Sequence, residues 1–173
     1  YSNVDGSKAS EITLENVSVP KENLLGEEGK ALNTVSEVID LATLAISAEA
    51  VGIMQKMNEL TLDYTKTREQ FGQALSKFQA LQHRMVDTFM VHEQTKSLLL
   101  MAAAKMNDKA ADTSKSISAL KYQIGSAAKL IGEESIQLHG GMGVTEEMSI
   151  GHYFKRLTTI RTIFGNSDYH LKR

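Results

Sequence analysis

The period of apolar positions along the chain changes once, near residue 28. Before that point Ile12, Leu14, Val17 and Val19 alternate roughly with polar neighbours and end at Pro20. This is a strand-like pattern, bracketed by turn signals at Asp5-Gly6 and at Gly26 to Gly29. One or two strands cannot bury a face by themselves. Residues 1–26 therefore read as the end of a β-domain whose remainder lies upstream, and the start at Tyr1 rather than Met agrees with a piece of something longer.

After that point the spacing becomes helical. Leu32, Val35, Val38, Ile39, Ala42, Ala45, Ile46, Ala50, Ile53, Met54, Met57 and Leu60 recur at steps of three and four, predicting a first helix over about 28–67. Ser76 is placed to cap a second helix over about 77–107, with Phe78, Leu81, Met85, Phe89, Leu99, Ala103 and Met106 on its buried side. A third helix, about 114–138, carries Ile117, Leu120, Ile124, Ala127, Ile131 and Leu138 in register and stops at His139-Gly140-Gly141-Met142-Gly143. Thr145 with Glu146 and Glu147 opens a fourth, reaching about Phe164, and Ser167 starts a last short one. Long helices joined by short connections pack antiparallel. The expected fold is all-α: an up-down four-helix bundle over residues 27–173, with a short extended N-terminal remnant.

Composition narrows the function. Nineteen Lys+Arg against 21 Asp+Glu leave a net charge of -2, which gives no footprint for nucleic acid or an anionic membrane. The absence of cysteine excludes disulfides, thiolate metal sites and a Cys nucleophile. The five histidines form no close ligand pair, so no metal is expected. No apolar run reaches the ~18–20 residues of a membrane span, and no leader signal is visible; the expectation is a cytoplasmic protein. Asn16-Val17-Ser18 matches a glycosylation sequon without any other sign of secretion.

Two polar motifs each have two readings. Gly140-Gly141-Met142-Gly143 is either a helix terminus or a place where a ligand approaches the backbone, with the Gln137 amide beside it. Arg68-Glu69-Gln70-Phe71-Gly72 is either an interhelical turn or a phosphate donor, Arg68, next to an apolar wall, Phe71.

Taken in order, Arg68-Glu69-Gln70-Phe71-Gly72, Lys77-Phe78-Gln79 and Gln137-Leu138-His139-Gly140-Gly141-Met142-Gly143 resemble the C-terminal domain of flavin-dependent acyl-CoA dehydrogenases. Val19-Pro20-Lys21-Glu22-Asn23-Leu24-Leu25-Gly26 is similar to that family's exit from its middle β-domain. The resemblance implies FAD held between subunits of a dimer of dimers, an acyl-CoA substrate and an electron-accepting flavoprotein. It also implies cofactor contacts at Arg68, Gln70, Phe71, Gln137, Gly140 and Gly141. Near the C-terminus Ile163-Phe164-Gly165-Asn166-Ser167-Asp168 matches the family's Tyr-Glu-Gly-Thr-x-Gln, adding Asn166 and Asp168 as polar cofactor contacts. In this match Phe164 takes the place of the glutamate base, and Ala42 takes the family's alternative base position on the first helix; neither side chain accepts a proton. Asp40 is the nearest substitute, set half a turn away. The resemblance therefore leaves two expectations: an acyl-CoA dehydrogenase with a displaced base, or the non-catalytic small subunit of a heteromeric one.

Overall fold

The computed structural model describes every residue from Tyr1 to Arg173. Five helices carry the fold: α1 Ala31–Thr67, α2 Gln79–Asn107, α3 Thr113–His139, α4 Ser149–Ile160 and α5 Ser167–Lys172. The four larger ones alternate in direction. Asn58 of α1 donates to the Thr88 carbonyl of α2, Arg84 of α2 pairs with Glu134 of α3, and Lys121 of α3 reaches the Ile160 carbonyl of α4. The helix α3 lies at the centre and packs against all the others. The up-down bundle read from the sequence is the architecture found.

The core joins Ala50, Met54 and Met57 of α1, Ala102 of α2, Ile117, Leu120, Ile124, Ala127 and Ile131 of α3, and Ile150, Leu157 and Ile160 of α4. Burial of such side chains is worth about 25 cal/mol per Å² and is the main stabilising contribution. Much of the buried face of α1 and α2 is nevertheless hydroxylic. Thr43, Ser47, Thr61 and Thr95 are buried, and each hydroxyl donates at 2.7 Å to the carbonyl four residues earlier. The helix thus satisfies its own buried polar atoms, so these small side chains can sit in an apolar interface.

Several boundaries differ from those expected. Helix α2 begins at Gln79, with Phe78 as its cap position and no side-chain cap; Ser76 sits in a 3-10 turn at Leu75–Lys77, where its carbonyl accepts from Gln82 at 2.8 Å. Phe89 and Ala103 face outward, and Thr88, His92, Thr95 and Ala102 take the buried positions. Helix α4 starts four residues late because Thr145 turns its hydroxyl back to the Met142 carbonyl instead of capping forward. It ends at Ile160, where a turn through Phe164 replaces the last helical residues. Helix α1 runs unbroken through Gly52, where an added Cβ would meet nothing within 4 Å.

In the first 30 residues the only bridge joins Ser2 to Lys8, and a 3-10 turn covers Lys21–Asn23. The Ser2–Lys8 turn is tied to the bundle. Arg156 of α4 forms a two-pronged pair with Glu49 of α1, at 2.6 and 2.8 Å, and reaches Asp5 at 2.9 Å. Ser7 and Arg156 hold the Asp5 carboxyl well below the usual carboxylate range.

Candidate functional site

Between α1 and α2 the chain makes a two-residue hairpin. Strands β1 Glu69–Gln70 and β2 Gln73–Ala74 pair with Glu69 opposite Ala74 and Gln70 opposite Gln73. Phe71 (φ 54°) and Gly72 (φ 80°) fill the loop, both in the left-handed region that a type I′ turn requires. Glycine takes that conformation freely, whereas phenylalanine is strained in it, of order 1 kcal/mol or more. The Phe71 ring is 92% exposed and meets only the edge of Phe78, with centroids 6.2 Å apart.

The other motif closes α3. Gly140, at φ 61° and ψ −141°, ends the helix in a conformation that a side-chain-bearing residue rarely adopts. The hairpin and this terminus are almost 70 residues apart in sequence, yet they line one cavity of ≈ 480 Å³. Arg68, Gln70, Gln137, Gly140 and Gly141 all border it, with Tyr64, Leu75, Leu81, Arg84 and His139. Five of the eight expected cofactor contacts are thus brought together, and Phe71 stands on the adjoining hairpin tip.

Two donors of this cavity are free, whereas Gln70 Nε2 donates to the Glu69 carbonyl at 2.8 Å. The Arg68 guanidinium has no hydrogen bond or ion pair within the chain, and the Gln137 amide has none either. A Cβ added at Gly140 or Gly141 would meet nothing within 4 Å, so side chains there would project into open space. Tyr64 stacks on His139 with centroids 4.4 Å apart and donates its hydroxyl to the His139 carbonyl at 3.2 Å. The His139 Nδ1 donates to the Ser135 carbonyl at 2.8 Å, and burial lowers its pKa, so the ring is neutral near pH 7. Free guanidinium and amide donors beside a bare glycine backbone suit an anionic group attached to a flat ring system, which is the chemistry of a dinucleotide. Tyr64 and Arg84 were missed in the sequence because no motif marks them, and His139 was read only as part of the glycine motif; folding carries all three to the cavity.

Asn166 and Asp168 lie elsewhere. They border a polar cavity of ≈ 380 Å³ with Thr158, Arg161, Thr162 and Ser167. Asn166 caps α5, its Oδ1 accepting from the Tyr169 amide at 3.0 Å. This cavity flanks the Phe164 turn, which is fixed from inside. Lys121 is 1% exposed, and its ammonium donates to the carbonyls of Ile160 (2.9 Å), Gly165 (3.0 Å) and Arg161 (3.4 Å). Burial brings its pKa down to about 8. The buried His170 donates from Nε2 to the Phe164 carbonyl at 2.9 Å; its Nδ1 accepts from Ser118 at 3.3 Å, and burial lowers its pKa. Phe164 itself is left-handed (φ 58°) and half-exposed.

At this end the Asp168 carboxylate, which borders the polar cavity, has no partner within the chain, but neither base position holds an acid. Neither Phe164 nor Gly165 carries one, and Ala42 is inert. Asp40 is buried at 4% exposure, accepts from the Ser114 hydroxyl and lies 2.7 Å from Arg173 Nη1. It is an ion-paired structural acid. A cleft of ≈ 580 Å³ between α1 and α2 contains none of the motif residues. No cluster of three or more potential metal ligands occurs, and no helix is long and apolar enough to cross a membrane.

Comparison with known proteins identifies the family. The model of the acyl-CoA dehydrogenase C-terminal domain matches residues 30–173, and the chain belongs to that family. It is 31% identical to the mitochondrial short-chain specific acyl-CoA dehydrogenase of Rattus norvegicus, over 91% of this chain and 38% of that protein. It is 30% identical to subunit CarC of the caffeyl-CoA reductase-Etf complex of Acetobacterium woodii, over 94% of this chain and 43% of that one. Butyryl-CoA dehydrogenase from Megasphaera elsdenii has a similar structure, with a TM-score of 0.84 at 28% identity, over 89% of this chain and 40% of that one. The chain therefore spans about two fifths of the length of these relatives.

Proposed function

We propose that this chain is the helical C-terminal part of an FAD-dependent acyl-CoA dehydrogenase, and that the cavity between the hairpin and the α3 terminus receives the adenosine-diphosphate end of FAD. The convergence of Arg68 and Gln70 with Gln137, Gly140 and Gly141 on one cavity carries the reading. Arg68 supplies a planar double donor to the diphosphate, Gln137 an amide, and the two glycines a backbone without side-chain obstruction. Phe71 and Gln70 form the wall beside it. Residues 27–173 are the bundle domain, and residues 1–26 are the end of the β-domain that precedes it.

Asn166 and Asp168 lie toward the opposite end of α3. Lys121, which holds their turn, is 19 residues from Gly140, about 28 Å along the helix axis. In a tetramer built around shared cofactors, the cavity of one subunit and the Asn166–Asp168 turn of another flank the same FAD. When bound, FAD supplies the hydride acceptor for removing two hydrogens from an acyl-CoA thioester. The name of the Acetobacterium woodii relative, which couples a CoA reductase to Etf, supports an electron-transferring flavoprotein as redox partner. The test is the full-length protein's visible spectrum and its oligomeric state. A bound flavin released on Arg68→Ala is expected; a colourless protein that does not take up FAD would refute the reading.

A second reading rests on one observation: no free acid stands at either base position, and Asp40 is engaged by Ser114 and Arg173. In this reading the chain is the non-catalytic small subunit of a heteromeric acyl-CoA dehydrogenase, lending its cavity to a partner that carries the base. Reduction of an electron acceptor by acyl-CoA with the purified protein alone excludes it; turnover only after adding a homologous partner supports it.

A further inference from the structure

We propose that Arg84 is a second anion-recognising residue of the same cavity, making it selective for a diphosphate-bearing nucleotide over the uncharged nucleoside. The proposal rests on the dinucleotide reading above and extends it to a residue that no sequence motif marks. Arg84 sits on α2, a different element from Arg68, and the two arginines are the only side chains bordering the cavity that are charged near pH 7. No acid borders it.

Arg84 is also oriented in advance. Its Nε donates to Glu134 Oε2 at 2.5 Å, and both side chains are largely withdrawn from solvent, at 37% and 24% exposure. That single bond fixes the plane of the guanidinium and leaves both Nη groups without a protein partner. Glu134 offsets part of the charge, yet it removes the cost of ordering a long side chain when the ligand arrives. Arg68, by contrast, is exposed and unrestrained. A fixed guanidinium and a mobile one, rooted on two helices, suit two linked phosphates; Leu75, Leu81 and the Tyr64 ring offer apolar surface for the base.

The experiment titrates the intact protein, freed of nucleotide, with ADP and with adenosine by calorimetry at low salt, for wild type, Arg84→Met, Arg84→Lys and Glu134→Gln. Expected is a roughly tenfold loss of ADP affinity in Arg84→Met with adenosine unchanged. Arg84→Lys should recover part of the loss, since it keeps charge without the fork, and Glu134→Gln should cost a smaller factor for ADP alone. If Arg84→Met binds ADP as wild type does, the proposal fails and the dinucleotide reading stands. Equal losses for ADP and adenosine would make Arg84 a mere α2–α3 brace and overturn it. If wild-type protein binds neither ADP nor FAD, the reading itself is wrong and the proposal falls with it.

Discussion

The two ends of α3 are built from similar polar residues used in opposite ways. At its C-terminal end Arg68 and Gln137 make no side-chain bond within the chain, and Gly140 and Gly141 leave the backbone bare. At its N-terminal half Lys121, His170 and Asp40 are buried, and each is bound to neighbouring carbonyls, hydroxyls or a guanidinium. Donors left free are available to a ligand, whereas donors used internally fix a shape. On the function proposed above, the first end binds the nucleotide and the second holds a turn in place.

The sharpest way to break this contrast is Lys121→Met. The substitution keeps the length of the side chain but leaves the carbonyls of Ile160, Arg161 and Gly165 without their donor. At about 1–3 kcal/mol for each unmet buried group, and with partial relaxation, a loss of about 3 kcal/mol is expected. Urea unfolding should show a lower midpoint at unchanged slope; a midpoint within error of wild type would mean that the ammonium is dispensable. Burial depresses this lysine in the folded state, so native protein binds fewer protons than unfolded chain between pH ~8 and ~10.5. Its contribution to stability therefore rises across that window, and the rise should vanish in Lys121→Met.

At the other end, substitutions should spare stability and remove binding. Gly141→Leu places a side chain in open space lining the cavity, so ADP affinity should fall by tenfold or more while the melting temperature stays within about 2 °C. Arg68→Ala removes a charge-assisted fork worth about 1.5–3 kcal/mol, roughly ten- to a hundredfold in nucleotide affinity, again with little effect on folding. If either variant unfolds the protein instead, that end is structural and the contrast is lost.

A smaller effect comes from acid. Burial lowers the pKa of both His139 and His170. A base with a depressed folded pKa contributes stability that is present above its unfolded value and is lost as pH falls through it, near 6.5. Unfolding midpoints should therefore decline from pH 7.5 to 5.5, and the decline should shrink in His170→Asn. A flat profile would place both rings in solvent.

The helices and the two polar motifs were legible in the sequence for different reasons. Periodicity located every long helix because each has an apolar stripe, and the hairpin and glycine motifs were visible because their chemistry is local. What periodicity could not decide was which face of α1 and α2 is inward. Leu32, Val35, Val38, Phe89 and Leu100 are exposed, while Thr43, Ser47, Thr61 and Thr95 are buried, because back-bonded hydroxyls remove the usual cost of burying them. No sequence signal marks Lys121 as buried. Its three acceptors lie 39 to 44 residues further along the chain, and no local pattern announces them. Arg84 became a candidate only when folding set it beside Arg68.

The Arg156 contact gives the molecule a load path. Its guanidinium joins Asp5, 151 positions earlier in the chain, to the helix that ends in the Phe164 turn, and Glu49 anchors the same group on α1. A displacement of whatever precedes Asp5 is thus delivered to α4 through an ion pair rather than through apolar packing. With the Asp5 side chain only 2% exposed, this pair is screened by salt much less than a surface pair. Arg156→Met, rather than high ionic strength, should uncouple the first turn from the bundle and leave the helices standing.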